Sequence, residues 1–279
     1  HNRGMAHSES MHTARDGAQL YWQEWLPEGT PRAVIVLIHG LGEHSGRYAH
    51  LAERFTQEGI AVLSQDNRGH GKTPGGRGVM DFDKAVADVG ELLDEARTRF
   101  PGVPLVIYGH SLGSLITMTY TVKNHPEVVA QVASAPALDS ELREQKVKFM
   151  LANLLGGIAP SIVLPTGLDS KGVSRDPQVV AAYENDPLVH DKGSTGLAKG
   201  TFAAMDAMMA QTSFPVPLLI IHGTDDRLTV PAASKIFVDQ VSGDVTLIEY
   251  DGMYHEPHNE PEQAEVFADV MEWLNKHLP

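Results

Sequence analysis

The chain has 279 residues, 42% of them apolar and 21% charged, ordinary globular usage far from the polar, highly charged profile of a disordered chain. Lys and Arg number 22 against 36 Asp and Glu, a net charge of −14. That charge repels nucleic-acid phosphates where no basic patch concentrates, so no nucleic-acid partner is expected.

There is no cysteine, which removes disulfides, thiolate metal sites and cysteine nucleophiles. Residues 1–15 read as a polar N-terminal tail, with His1 to Gly4, ahead of Met5, expected to be an expression remnant outside the fold. The tail lacks the apolar stretch of a secretory signal, so a cytoplasmic location is expected. Residues 18–25 alternate well enough for a half-buried strand, and Ala33–Ile38 is a continuous β-branched run of the kind buried on both faces. Similar short runs recur at 60–64, 105–108, 128–134, 218–221 and 245–250, most flanked by Gly, Pro or Asp. Between them, 47–58, 82–99, 112–124, 232–241 and 261–277 carry apolar residues at three- and four-residue spacing and predict helices. The alternation predicts an α/β fold, a mostly parallel central sheet with helices on both faces and a ligand site at the carboxyl ends of the strands.

Residues 138–214 break the alternation with helical patches, Gly pairs and turn dipeptides but no comparable strand. They predict a cap inserted into a core built from 16–137 and 215–279. The apolar stretch 149–164 is interrupted by Asn153, Gly156, Gly157, Pro160 and Ser161 and falls short of the ~20 residues that span a bilayer. Its first part, 149–155, reads either as a lid helix with an apolar face or as an ordinary buried helix.

The predicted strand 105–108 runs into Gly109-His110-Ser111-Leu112-Gly113 and then a helix, the strand–elbow–helix order that exposes a nucleophilic serine. Glycines two before and two after are needed because so sharp a turn crowds the neighbouring chain. A serine hydroxyl needs a base to remove its proton, and in this fold an acid and then a histidine follow in the chain. After the strand at 218–221 come Asp225 and Asp226; Asp226 is favoured as the acid and Asp225 as a loop cap. After the strand at 245–250 comes His255, the expected base by chain order, with His258 its rival. Ala33–Ile38 ends in His39-Gly40-Leu41-Gly42-Glu43-His44-Ser45-Gly46-Arg47, whose glycines free amide groups to face a ligand. An oxyanion would be held by the amides of Leu112 and, from this loop, Leu41. The alternative is a turn-rich loop without function.

These segments resemble the monoacylglycerol lipase branch of the α/β-hydrolases, which also includes lysophospholipase-like esterases. The resemblance rests on the loop at 39–48, Asp66-Asn67-Arg68-Gly69-His70-Gly71, the serine elbow, Ser174-Arg175-Asp176, Asn185-Asp186-Pro187-Leu188, Gly223-Thr224-Asp225-Asp226-Arg227 and Tyr254-His255, and runs from about residue 15 to the C-terminus. It implies an α/β-hydrolase fold with a helical cap, a triad of Ser111, Asp226 and His255, and oxyanion donors Leu41 and Leu112. It further implies a glycerol pocket near Glu43, Arg47, Tyr183 and His258, and a mobile apolar cap over an acyl tunnel. For Glu43 and Arg47 the alternative is an ion pair fixing the loop; for Tyr183 it is packing within the cap. Leu112 and Ser114 stand where relatives often carry Met and Gly.

The implied activity is hydrolysis of monoacylglycerols to glycerol and fatty acid through an acyl-enzyme. A lysophospholipase or broad carboxylesterase would use the same machinery, while a slow-turnover ligand receptor or an aminopeptidase would be different classes on the same fold. Haloalkane or epoxide chemistry would put a carboxylate at position 111. No metal or cofactor is expected, since His39, His44 and His70 show no ligand spacing and a serine triad needs none. Residues 66–71 are expected to pack beneath the site. The expected partner is a small lipid ester, with transient membrane-surface contact through the cap making the protein peripheral to membranes.

Overall fold

The computed structural model describes residues 5–140 and 146–279. Ten strands and eight helices are described: β1 Ala6–Thr13, β2 Gln19–Leu26, β3 Ala33–Ile38, α1 Ala49–Gln57, β4 Ile60–Gln65, α2 Phe82–Arg99, β5 Leu105–His110, α3 Leu112–Asn124, β6 Ala130–Ser134, α4 Lys146–Ile158, β7 Val163–Pro165, α5 Pro177–Asn185, β8 Lys192–Ser194, α6 Thr195–Met209, β9 Leu218–Gly223, α7 Pro231–Gln240, β10 Val245–Tyr250 and α8 Gln263–His277. Eight strands form one sheet in the order β1-β2-β4-β3-β5-β6-β9-β10. From β4 to β10 every pairing is parallel, and β2 runs antiparallel to both β1 and β4. This is the α/β-hydrolase fold.

The central strands are apolar throughout because both their faces are covered. In β3, Val34, Val36 and Ile38 face one core with α2 and α3, while Ala33, Ile35 and Leu37 face the other with α1 and α8. Strand alternation thus divides one apolar run between two layers. Helix α2 occupies its predicted range, capped by Asp81, whose side chain accepts from the Lys84 amide at 3.0 Å, and closed by Arg97 and Arg99 where cations favour a helix end. The segment predicted as one helix from 47 starts instead with a short 3₁₀ turn, Ser45–Tyr48, before α1.

The tail expected over residues 1–15 is replaced, over Ala6–Thr13, by an edge strand in full register with β2. Its side chains are almost all exposed. Main-chain pairing holds it, not a buried face, so no apolar alternation marks it in the sequence. The rings of His12 and Trp22 stack at 3.8 Å across this edge.

Residues 138–214 lie between β6 and β9, neighbours in the sheet, so they leave and return at one point of the carboxyl edge. Within them β7 and β8 form a three-residue antiparallel ribbon, a pairing the sequence pattern does not announce. Helix α6 closes the insertion but belongs partly to the core: Leu197, Ala204, Met205 and Met208 are buried in the layer shared with α2 and α3. Helix α4 presents Met150, Leu154 and Ile158 at 70%, 63% and 76% exposure, so at these positions it is not the ordinary buried helix of the two alternatives. Among the described residues no helix is long and apolar enough to cross a membrane.

Candidate active site

The chain reverses from β5 into α3 at Ser111, whose φ of 53° and ψ of −120° lie outside the usual regions for a side-chain-bearing residue. Such strain persists only when the surroundings over-determine it. The Ser111 amide donates to the Ser134 carbonyl at 2.9 Å, and the Ser111 carbonyl accepts from the Ser114 and Ala137 amides at 3.0 and 3.2 Å. A Cβ on Gly109 would sit 2.5 Å from Thr117 Oγ1, and one on Gly113 would collide with the Ile38 carbonyl of the adjacent strand. Both elbow glycines are therefore required by space. The amides of Leu41 and Leu112 have no acceptor among the described residues. Leu112 opens α3, where the first amide groups are free and the helix dipole favours negative charge.

The loop after β9 buries Asp226 and leaves Asp225 exposed. Asp226 Oδ1 accepts from the Leu228 and Thr229 amides at 2.7 and 3.1 Å. Its Oδ2 accepts from His255 Nδ1 at 2.8 Å, His222 Nε2 at 2.9 Å and Thr229 Oγ1 at 2.8 Å. Burial alone would raise the carboxyl, but the His255 charge and the hydrogen bonds from His222 and His255 outweigh it and hold Asp226 far below the usual carboxylate range. For His255, burial pushes the imidazole down, while the charge and hydrogen bond of Asp226, with Glu256 and Glu43 nearby, raise it above the ordinary value. His255 and Ser111 line the same cavity. The tautomer that donates from Nδ1 leaves the other ring nitrogen as a base.

His258 stands elsewhere. It is buried, both ring nitrogens lack a partner among the described residues, and its ring stacks on Tyr48 at 5.0 Å behind the cavity wall. It is not part of the cavity lining.

The cavity holds about 430 Å³ and runs from Ser111 up into the cap. Leu151, Leu164, Leu197, Phe202 and Met205 make its cap side apolar. Its polar end is built on Arg47, whose Nη1 donates to Glu43 Oε1 and Glu256 Oε2 and whose Nη2 donates to Glu256 Oε1, all at 2.7 Å. Glu43 Oε2 also accepts from the Gly40 amide at 3.0 Å and Tyr48 Oη at 2.6 Å. The Tyr183 ring lies 4.7 Å from the Arg47 guanidinium. Burial would raise Glu43, but the Arg47 charge overrides it and holds the carboxyl well below its usual range. Glu43, Arg47 and Tyr183 thus come together, and the ion pair considered for the first two is present.

Glu256, His222 and Thr229 complete this arrangement, and no motif in the sequence singles them out. The one signal for Glu256 is its place next to His255; His222 and Thr229 flank Asp226 at −4 and +3, a spacing that only the loop's closed shape makes meaningful. The loop at 66–71 supports the floor. His39 accepts from the Asn67 amide at 2.9 Å, and Asp66 accepts from the Ser45 amide at 2.8 Å. Among the described residues no group of three His, Asp or Glu side chains could hold a metal ion.

A serine at a strained strand-to-helix elbow, with a carboxylate-bound imidazole on the next strand-end loops of a largely parallel sheet, defines an α/β-hydrolase. Residues 29–262 match the family described as serine aminopeptidase, S33, and the chain belongs to that family. It is 40% identical to a monoacylglycerol lipase of Mycolicibacterium smegmatis, over 97% of this chain and 98% of that one. It is similar to the crystal structure of a Paleococcus ferrophilus monoacylglycerol lipase, with TM-score 0.86 and 36% identity over 92% of this chain and 99% of that one. A soluble variant of Saccharomyces cerevisiae monoglyceride lipase, in complex with a substrate analog, matches with TM-score 0.86 and 26% identity, covering 97% and 95%.

Proposed function

We propose that this hydrolase cleaves monoacylglycerols to glycerol and free fatty acid, with Ser111 as nucleophile, His255 as general base and acid, and Asp226 as the carboxylate that orients His255. The acyl chain lies in the apolar arm of the cavity and the glycerol head faces Glu43, Arg47 and Tyr183. His255 takes the Ser111 proton as Oγ attacks the ester carbon. The tetrahedral oxyanion is stabilised by the amides of Leu41 and Leu112, each donor worth about 3 kcal/mol. Collapse expels glycerol, protonated by His255, and water then attacks the acyl-enzyme by the same path in reverse order.

The observation that carries the choice of substrate is the saturated polar end of the cavity. Two carboxylates surround one guanidinium whose Nη1 and Nη2 are both engaged, and Arg47 is the one Arg or Lys among the described lining residues. A phosphate headgroup would meet net negative charge with no free guanidinium fork to receive it. A neutral polyol can donate hydroxyls to those carboxylates. This favours a monoacylglycerol over a lysophospholipid. The exposed apolar residues of α4 support a cap that touches lipid transiently while substrate enters, which would keep the protein at membrane surfaces.

A panel of a monoacylglycerol, a lysophosphatidylcholine, a short nitrophenyl ester and an aminoacyl nitroanilide, run on wild type and Ser111→Ala, tests this. Multiple turnover of the glyceride, at least roughly tenfold better than the lysolipid, is expected, with roughly 10⁴-fold or greater loss in Ser111→Ala. Preference for the lysolipid or nitroanilide, single turnover, or full activity in Ser111→Ala would overturn it.

A further inference from the structure

Asp226 Oδ2 is shared by two imidazoles, and only one of them reaches the cavity. His222, the fifth residue of β9, is fully buried. Its Nε2 lies 2.9 Å from Oδ2 and its Nδ1 lies 2.8 Å from Ser234 Oγ on α7. An ionised carboxylate only accepts, so Nε2 carries the proton; Nδ1 is then an acceptor and the Ser234 hydroxyl donates to it. A chain of fixed hydrogen bonds therefore runs from Ser234 through His222 and Asp226 to His255. With Thr229 Oγ1, three donors crowd one oxygen, while Oδ1 is held by backbone amides.

We propose that His222 is a positioning residue for the acid of the triad: its Nε2–H fixes Asp226 Oδ2 against His255 Nδ1 and draws charge from the oxygen on which His255 relies. The inference rests on the reading of Ser111, His255 and Asp226 given above. Its consequence is a trade. The second imidazole removes Asp226's freedom to rotate, which aids turnover, and it divides the carboxylate's charge, which keeps His255 from being held protonated too strongly.

Removing the Nε2 donor should therefore lower kcat and raise the pH at which His255 loses its proton. The other groups facing His255 stay as they are: Glu256 beside it in sequence, Glu43 on the loop after β3, His110 at the end of β5 with its ring 4.8 Å away, and His258. Any movement of the acid limb then belongs to the Asp226 side of the ring.

The test is the pH dependence of kcat/KM for His222→Leu and His222→Gln, with folding checked by thermal unfolding. Leu fills the space without a donor. Gln carries a donor and an acceptor spaced much as the two ring nitrogens are. For His222→Leu we expect kcat down roughly tenfold, KM within about twofold, and the acid limb moved upward by roughly half a pH unit. His222→Gln should return the limb to the wild-type position and recover most of kcat. An unmoved limb in His222→Leu, or an equal displacement in both variants, would mean that His222 only fills space and would overturn the proposal. Should His222→Leu fail to fold, Ser234→Ala is read instead. It removes the Nδ1 hydrogen bond that holds the His222 ring in place and should move the limb the same way by a smaller amount; no movement overturns the proposal. Ser111→Ala separates the two levels, since turnover surviving in that variant removes the triad reading itself.

Discussion

The floor of the cavity and its roof are built on opposite principles. On the floor, Glu43 after β3, Asp226 after β9, and His255 and Glu256 after β10 are buried and hydrogen-bonded; Asp226 by itself accepts five hydrogen bonds. On the roof, α4 exposes Met150, Leu154 and Ile158 to solvent. The difference teaches where order is needed. Proton transfer demands groups held to fractions of an ångström, and a saturated buried network supplies that. An acyl chain needs only apolar volume and a route to it, which helices with partly exposed apolar side chains provide.

Three perturbations would sharpen or break this contrast. The largest effect belongs to Arg47→Met, which leaves Glu43 and Glu256 buried beside each other without their cation. A loss of about 3–5 kcal/mol of stability is expected, together with a higher KM for glycerides, read by denaturant unfolding and steady-state kinetics. Stability within about 1 kcal/mol of wild type would show that the floor tolerates unpaired charge and that the contrast is overstated. Next comes pH. His255 must be neutral to accept the Ser111 proton, and its imidazole is raised above the ordinary value, chiefly by Asp226 acting against burial. Activity should therefore fall as pH drops through a point above about 6.5. An acid limb below that point in the kcat/KM profile would contradict the Asp226–His255 coupling. The smallest effect is expected on the roof. Leu154→Ser with Ile158→Ser should weaken binding to neutral vesicles several-fold at high salt, by removing apolar contact area, while hydrolysis of a soluble short ester changes less than about twofold. Unchanged vesicle binding, or equal loss on the soluble ester, would show that α4 is structural instead of a lipid-facing surface.

Much of the floor was legible before any coordinates. The strand–elbow–helix pattern around Ser111 works as a local rule because Gly109 and Gly113 answer to the immediate crowding of one turn. Its three-residue spacing from Gly223 favours Asp226 over Asp225, and chain order favours His255 over His258; in the structure Asp225 is solvent-exposed, while the ring of His258, although buried, has no hydrogen-bond partner among the described residues. Glu256, His222 and Thr229 escaped notice because nothing local distinguishes them; their roles arise only where three separate strand ends meet. The strand Ala6–Thr13 escaped for a different reason, since an exposed edge held by backbone pairing leaves no apolar trace. The ribbon β7–β8 is too short for periodicity to register, and α6 reads as cap by position although it packs as core.

The amino-acid sequence by itself determined the layered α/β scaffold and the serine at its elbow, with the proposed acid and base following it in the chain. These depend on periodicity and tight turns, which act over a few residues. Tertiary structure alone decided that one carboxylate oxygen serves two imidazoles, that Arg47 is spent on two glutamates, and that His258 lies behind the cavity wall. Such facts depend on distances between residues as many as 209 positions apart, as Arg47 and Glu256 are, and only the folded sheet brings those ends together.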